Sequence, residues 1–149
     1  MTDSPQMIFV NLPVADVAKS TAFYEALGLT KDERFSNEMA SAMQLSDTIV
    51  FMILGRDFFQ TFTPKAIADS KATTEVLICI SRESRAAVDE INARAAAAGG
   101  RADVREVQDM GFMYSRAFED PDGHMFEPMF MDMEAAMAAF PEGPAHEPA

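Results

Sequence analysis

One cysteine stands in 149 residues, so no disulfide can form within the chain and a reducing compartment, the cytoplasm, is expected. Cys79 lies in an apolar stretch and reads as a small interior hydrophobe rather than a nucleophile. Positive charge is equally scarce: twelve Lys and Arg against twenty-four Asp and Glu leave a net charge of -12. Such a surface repels phosphate backbones and anionic headgroups, which argues against a nucleic-acid partner or a membrane surface. No stretch approaches the ~20 apolar residues of a membrane span. The first residues show no basic region followed by an apolar run, so no targeting segment is expected. Nor is there a phosphate-cradling glycine loop, a Ser-His-Asp order or a CxxC pair, which sets aside the chemistries those motifs serve.

What is present is a globular balance, 48% hydrophobic and 24% charged, with room for one domain and its core. Residues 6–12 form a short apolar run of strand type, with Met7, Phe9 and Asn11 on one face. Asp16 is placed to cap a helix whose apolar positions include Val17, Thr21, Phe23, Tyr24 and Leu27, and Gly28 ends it. Extended segments follow at 29–35, 38–45 and 48–54, separated by Ser36-Asn37 and Ser46-Asp47. Residues 55–73 then break the pattern with Phe58, Phe59 and Phe62, and Pro64–Asp69 suggests a short helical turn. These rings would cover a pocket, meet a second subunit, or cap the core.

The same order begins again. Residues 74–81 form a strand with Glu75, Leu77 and Cys79 on one face, and 82–98 form a helix ended by Gly99-Gly100. Strands follow at 102–108, 112–118 and 124–130. The last is entered through Asp120-Pro121-Asp122-Gly123, a tight turn in which Pro121 presets φ and Gly123 supplies a positive one. The fold class is therefore α+β: two tandem βαβββ modules forming a curved mixed sheet with helices outside, plus a short C-terminal helix. The whole of 1–149 is one domain, with module 1 at about 6–55, the aromatic connection at 56–73 and module 2 at about 74–131. Residues 132–149 supply the closing helix and a tail expected to be mobile.

Strand alternation places Met125, Glu127 and Met129 on one face of the last strand. Glu127 is a carboxylate among apolar neighbours, explained either by a solvated sheet edge or an arginine partner, or by function. Tyr114 and Arg116, from the adjacent strand, share one parity and would neutralise or hydrogen-bond it. His124 has the opposite parity and is expected toward the helices or solvent, while His146 lies in the tail.

Asn11 through Asp16, the helix segment Ser20 through Gly28, and Glu119 through Glu127 resemble the vicinal oxygen chelate superfamily, which contains glyoxalase I, bleomycin-resistance proteins and extradiol dioxygenases. The run from Phe58 to Pro64 and Gly111 through Tyr114 also look like short bacterial proteins described as lactoylglutathione lyases. The resemblance covers residues 6–132. It implies a lyase, isomerase or dioxygenase, in which each module contributes one metal ligand from its first strand and one from its last, with Ni, Zn, Mn or Fe polarising the substrate. Here those positions fall on Phe9 and Phe51 in the first module, neither of which can ligate, and on Glu75 and Glu127 in the second. Met52, one residue from Phe51, is no hard ligand either. No metal or other cofactor is therefore expected; were one present, Glu75 and Glu127 would hold it.

Without a metal, Glu75 and Glu127 become the catalytic candidates, two carboxyls facing each other across a hollow, where burial and like charge would keep one protonated. The expected cavity lining is Met7, Phe9, Asn11, Phe51, Cys79, Tyr114, Arg116 and Met125. Met7, Met125 and Met129 would remould around varied apolar ligands. The expected partners are a small-molecule ligand and a second copy of the chain, since an open curved sheet leaves apolar edges. Two functions stand nearly level at this point: binding of the bleomycin-resistance type, and metal-free catalysis by the carboxyl pair.

Overall fold

The computed structural model describes residues 4–140; the expected mobile tail falls outside them. The first module runs β1 (Ile8–Val14), α1 (Val17–Ala26), β2 (Thr30–Asp32), β3 (Ala40–Gln44) and β4 (Ile49–Gly55). A 3-10 turn at Glu33–Phe35 takes the end of the segment expected to be extended. Asp16 caps α1 by accepting from the Lys19 N–H at 3.0 Å, and Gly28 leaves the helix with φ of 101°, the left-handed conformation that glycine adopts without strain. The strands form a sheet in the order β1-β4-β3-β2, β1 and β4 parallel.

Between the modules the expected turn at 64–69 is irregular, and the helical piece is instead α2 (Arg56–Gln60). The second module runs β5 (Ile78–Ser81), α3 (Arg85–Ala97), β6 (Arg101–Ala102), β7 (Gln108–Asp109), β8 (Met113–Ser115), β9 (Phe118–Glu119) and β10 (Met125–Met131), and α4 (Met133–Ala139) closes the chain. Three expected strands are shorter or broken, each for a local reason. Thr74 to Leu77 run unpaired because the β10 ladder ends where Phe126 meets Ile78. The segment 102–108 divides at Asp103, whose φ of 53° turns the backbone out of the extended region. Strand 112–118 divides into β8 and β9, which share one register on β10; between them lies Pro128, which has no N–H to give the ladder. Allowing for these breaks, β5 and β8/β9 flank β10 as β1 and β3 flank β4.

The two sheets are not joined by strand pairing among the described residues. They are held together through their helix-covered faces. Phe51 of β4 and Phe126 of β10 meet edge to face at 5.5 Å, Tyr24 of α1 stacks on Phe51 at 6.5 Å, and Phe118 stacks on Phe126 at 5.2 Å. These rings belong to one buried cluster with Leu12, Val14, Ile53, Ile80 and Ile91. Burial of such side chains contributes roughly 1.5–3 kcal/mol each, so neither module's core is complete without the other.

The turn before β10 pins this seam. Asp122 accepts from the Ala15 N–H at 2.9 Å and from Ser20 Oγ at 3.2 Å. The Tyr24 hydroxyl donates to Asp120 at 2.6 Å, and His124 Nε2 lies 2.7 Å from the Pro13 carbonyl. Gly100 permits the close approach: a Cβ there would lie 2.2 Å from the Glu119 carbonyl and 2.8 Å from the Phe23 ring.

Candidate functional site

The candidate site is the face of the first sheet turned away from α1. Parallel pairing sets Phe9 beside Val50 and Asn11 beside Met52. Antiparallel pairing then sets Met52 beside Ala42 and Val50 beside Gln44. Directly paired residues share a face, so Phe9 and Asn11 of β1 lie with Ala42, Gln44, Val50 and Met52 on one surface, which Met7, just ahead of β1, extends. Asp32, Arg34 and Phe35 wall it, and together these residues enclose a cavity of about 480 Å³. This is within the ordinary range of small-molecule pockets.

The same register corrects the expected lining at Phe51. It belongs to the opposite face, where it is 2% exposed in the core, whereas Phe9 is 58% exposed. Val50 and Met52 take the place assigned to Phe51, and neither is a hard ligand.

Charge within this cavity is self-contained. The Asp32 carboxylate accepts from Arg34 Nε at 3.0 Å, from Nη2 at 2.9 Å, and from the Arg34 backbone N–H at 3.1 Å. The Arg34 side-chain hydrogen bonds hold the Asp32 carboxyl below its usual range. The guanidinium lies 5.4 Å from the centre of the Phe35 ring, a cation–π distance.

The second sheet presents a different surface. Register places Glu127 of β10 beside Cys79 of β5, and Arg105 reaches Glu127 with Nη2 at 2.9 Å and Nε at 3.2 Å. Arg105 also donates to Ser115 Oγ at 2.9 Å. Glu127 thus has the arginine partner that its apolar setting requires, but that partner is Arg105, a residue with no site signal in the sequence. The broken strand around Asp103 removes the parity that would have pointed to it. Cys79 is exposed rather than interior. Partial burial raises its thiol pKa first, the nearby Glu127 carboxylate raises it further, and Arg105 opposes both.

Glu75 does not face Glu127. It lies ahead of β5, four residues before Cys79, the residue paired with Glu127. It lines a second cavity of about 350 Å³ at the seam with Asn11, Phe59, Lys65, His124 and Met125. His124, expected toward the helices or solvent, thus borders that cavity. Of the three connection rings, Phe59 borders the seam cavity, Phe58 packs edge-on against Phe62 at 5.1 Å, and Phe62 is exposed.

Tyr114 and Arg116 are also corrected. Tyr114 pairs with Phe130, which turns both residues toward α3. The Tyr114 hydroxyl donates to Asp89 at 2.6 Å, and Arg116 bonds Asp89 at 2.9 Å and Asp103 at 2.6 and 2.9 Å. These bonds hold the Asp89 and Asp103 carboxyls below their usual range and push the Arg116 guanidinium up. The pair fastens sheet to helix and does not reach Glu127.

Among the described residues no group of three or more His, Cys, Asp or Glu side chains is so placed that it could hold a metal ion. With Phe9, Val50 and Met52 at the first-module positions and Glu127 tied to Arg105, the donor set does not fit a divalent ion.

Residues 6–42 match the family model for the bleomycin resistance protein-like N-terminal region. No curated protein matches the chain. Among solved structures, the hypothetical protein SA1046 from S. aureus is 26% identical, covers 86% of this chain and 95% of its own, and superposes with a TM-score of 0.72. A glyoxalase-related enzyme from Fulvimarina pelagi is 23% identical, covers 84% of this chain and 87% of its own, and gives a TM-score of 0.71. A lactoylglutathione lyase from Agrobacterium tumefaciens is 16% identical over 89% of this chain and 98% of its own, with a TM-score of 0.60. At the last two identities the likeness is one of fold.

Proposed function

We propose that this chain, whose N-terminal match and fold support its place in the vicinal oxygen chelate superfamily, binds a small molecule on the face of its first sheet turned away from α1 without the superfamily's divalent metal centre. The observation that carries this reading is the cavity of about 480 Å³ built on Phe9, Val50 and Met52, apolar side chains where metal-using relatives need ligands. Apolar lining with a few polar groups at the rim is the usual make-up of a ligand pocket. Catalysis by a Glu75/Glu127 pair is not supported: the two carboxyls are not neighbours, and Arg105 holds Glu127 at 2.9 Å.

The test combines metal analysis with ligand detection. The purified protein is expected to hold far less than one divalent ion per chain. A thermal-shift screen should yield a ligand whose addition moves the methyl resonances of Met7 and Met52 in methionine-labelled protein. One nickel, zinc, manganese or iron ion per chain, with turnover of the methylglyoxal–glutathione adduct, would overturn the reading. So would a ligand that stabilises the protein while leaving those two methyl signals in place.

A homodimer belongs to the same proposal. β1 and β5 are edge strands, and Ile8, Val76 and Leu77 on or beside them are exposed, the kind of edge that a second copy covers. Light scattering should give twice the chain mass. A cytoplasmic setting fits the single exposed thiol, and no helix among the described residues is long and apolar enough to cross a membrane.

A further inference from the structure

We infer that the ligand of the first-sheet cavity is an uncharged, aromatic molecule carrying both a hydrogen-bond donor and an acceptor, of the aryl carboxamide kind; this rests on the reading of that cavity as the binding site. The first ground is charge. The two ionised side chains on the cavity wall, Asp32 and Arg34, hold each other through a two-point carboxylate–guanidinium contact at 2.9 and 3.0 Å. An anionic ligand would meet the remaining N–H groups of Arg34 beside the Asp32 carboxylate, which repels it. A cationic one would meet a carboxylate already neutralised by the Arg34 guanidinium. The remaining floor offers a charge nothing, since Met7, Phe9, Val50 and Met52 are apolar, and an ionised group moved onto such a surface loses hydration without a partner. The chain's net charge of -12 further disfavours anions at long range.

The second ground is the pair of amides in the same cavity. Asn11 and Gln44 line it, and neither side chain has a hydrogen-bond partner among the described residues. A primary amide presents a carbonyl acceptor and an N–H donor together, so two of them are best matched by a neutral group that also does both. The third ground is the floor itself. Met7 and Met52 line it together with the rings of Phe9 and Phe35, and sulfur–aromatic and ring–ring contacts favour an aromatic body over an aliphatic one of equal volume.

The experiment uses three probes of nearly one shape, 2-naphthamide, 2-naphthoate and 2-naphthylmethylammonium, titrated at pH 7 into the full chain labelled at its methionine methyls. The amide is expected to shift Met7 and Met52 and to bind at least about tenfold tighter than either ion, the penalty of an unpaired charge on an apolar floor. Asp32→Asn, which keeps an oxygen for the Arg34 backbone N–H, frees the guanidinium and should raise naphthoate affinity about fivefold. Arg34→Gln should do the same for the ammonium. An ion that binds the unaltered protein as tightly as the amide overturns the inference alone and leaves the cavity as the binding site. Failure of all three probes to move Met7 or Met52 overturns the inference together with the cavity reading. The comparison on the unaltered protein decides the matter even if a variant does not fold.

Discussion

Replacing Tyr24 by Phe removes one oxygen from the seam between the modules and leaves the ring where it packs, on Phe51 and Phe126 at 6.5 and 5.9 Å. The lost hydroxyl is the donor to Asp120 at 2.6 Å. Asp120 is 3% exposed, so water cannot replace the donor freely. Two backbone N–H groups remain on the other carboxylate oxygen, from Asp122 at 3.0 Å and His124 at 2.8 Å, and the variant should therefore fold. A hydrogen bond to a buried charged acceptor contributes about 1.5–3 kcal/mol. Against a urea dependence of ~2 kcal/mol per molar, this moves the unfolding midpoint down by about 1 M.

Proton linkage gives a second readout. Burial raises the Asp120 carboxyl above its ordinary value of 3.8, opposed by the charge of His124 and by the Tyr24 hydrogen bond. The native state therefore keeps the proton over a window in which the unfolded chain has lost it, and Asp120's contribution to stability falls as pH rises from 3.8 through the raised native value. Loss of the Tyr24 donor widens that window upward, so the cost of Tyr24→Phe should be greater at pH 7.5 than at a pH just above 3.8. Urea titrations at both pH values, followed by far-ultraviolet circular dichroism, measure it. A variant as stable as the parent at pH 7.5 would refute the account of the seam, and an equal cost at both pH values would refute the role of the carboxyl's ionisation.

Gly100→Ala should destabilise by about 2 kcal/mol or more in the same assay, because the new methyl meets the Glu119 carbonyl at 2.2 Å and the backbone there must move. Phe51→Ala should cost about 3–5 kcal/mol, whereas Phe9→Ser should change the monomer's unfolding free energy by no more than about 0.5 kcal/mol; comparable costs would mean that the face assignment of β4 is wrong. Arg105→Ala should cost about 1–3 kcal/mol by leaving Glu127 unpaired, and Arg105→Ala combined with Glu127→Gln should recover part of it. A double variant no better than the single one would show that Arg105 matters for something other than this pair.

The recurrence of strand, helix and strands needs only local signals, and these are written along the chain. Asp16 caps because its carboxylate reaches the Lys19 N–H three residues on, and Gly28 and Gly99 end helices because they take φ of 101° and 104°. Such effects act within a few residues, so sequence suffices to place α1 and α3, and with them the paired modules, though not α2, which lies at Arg56–Gln60 rather than at 64–69. The second sheet's broken strands depended on Pro128 opposing a gap and Asp103 turning left-handed, which are properties of who stands beside whom.

The site depended on the same thing. Along β4, Val50, Phe51, Met52, Ile53 and Leu54 are all apolar, so alternation cannot say which of them face the helices; only the register against β1 does, by pairing Val50 with Phe9. One residue of register exchanged Phe51 for its neighbours and moved a ring from the cavity to the core. For Glu127, sequence determined that a carboxylate in an apolar strand needs a partner, because an unpaired buried charge is costly. Which arginine answers it was decided only when the chain around Asp103 folded back to bring Arg105 within 2.9 Å, a contact between residues 22 positions apart that no local preference encodes.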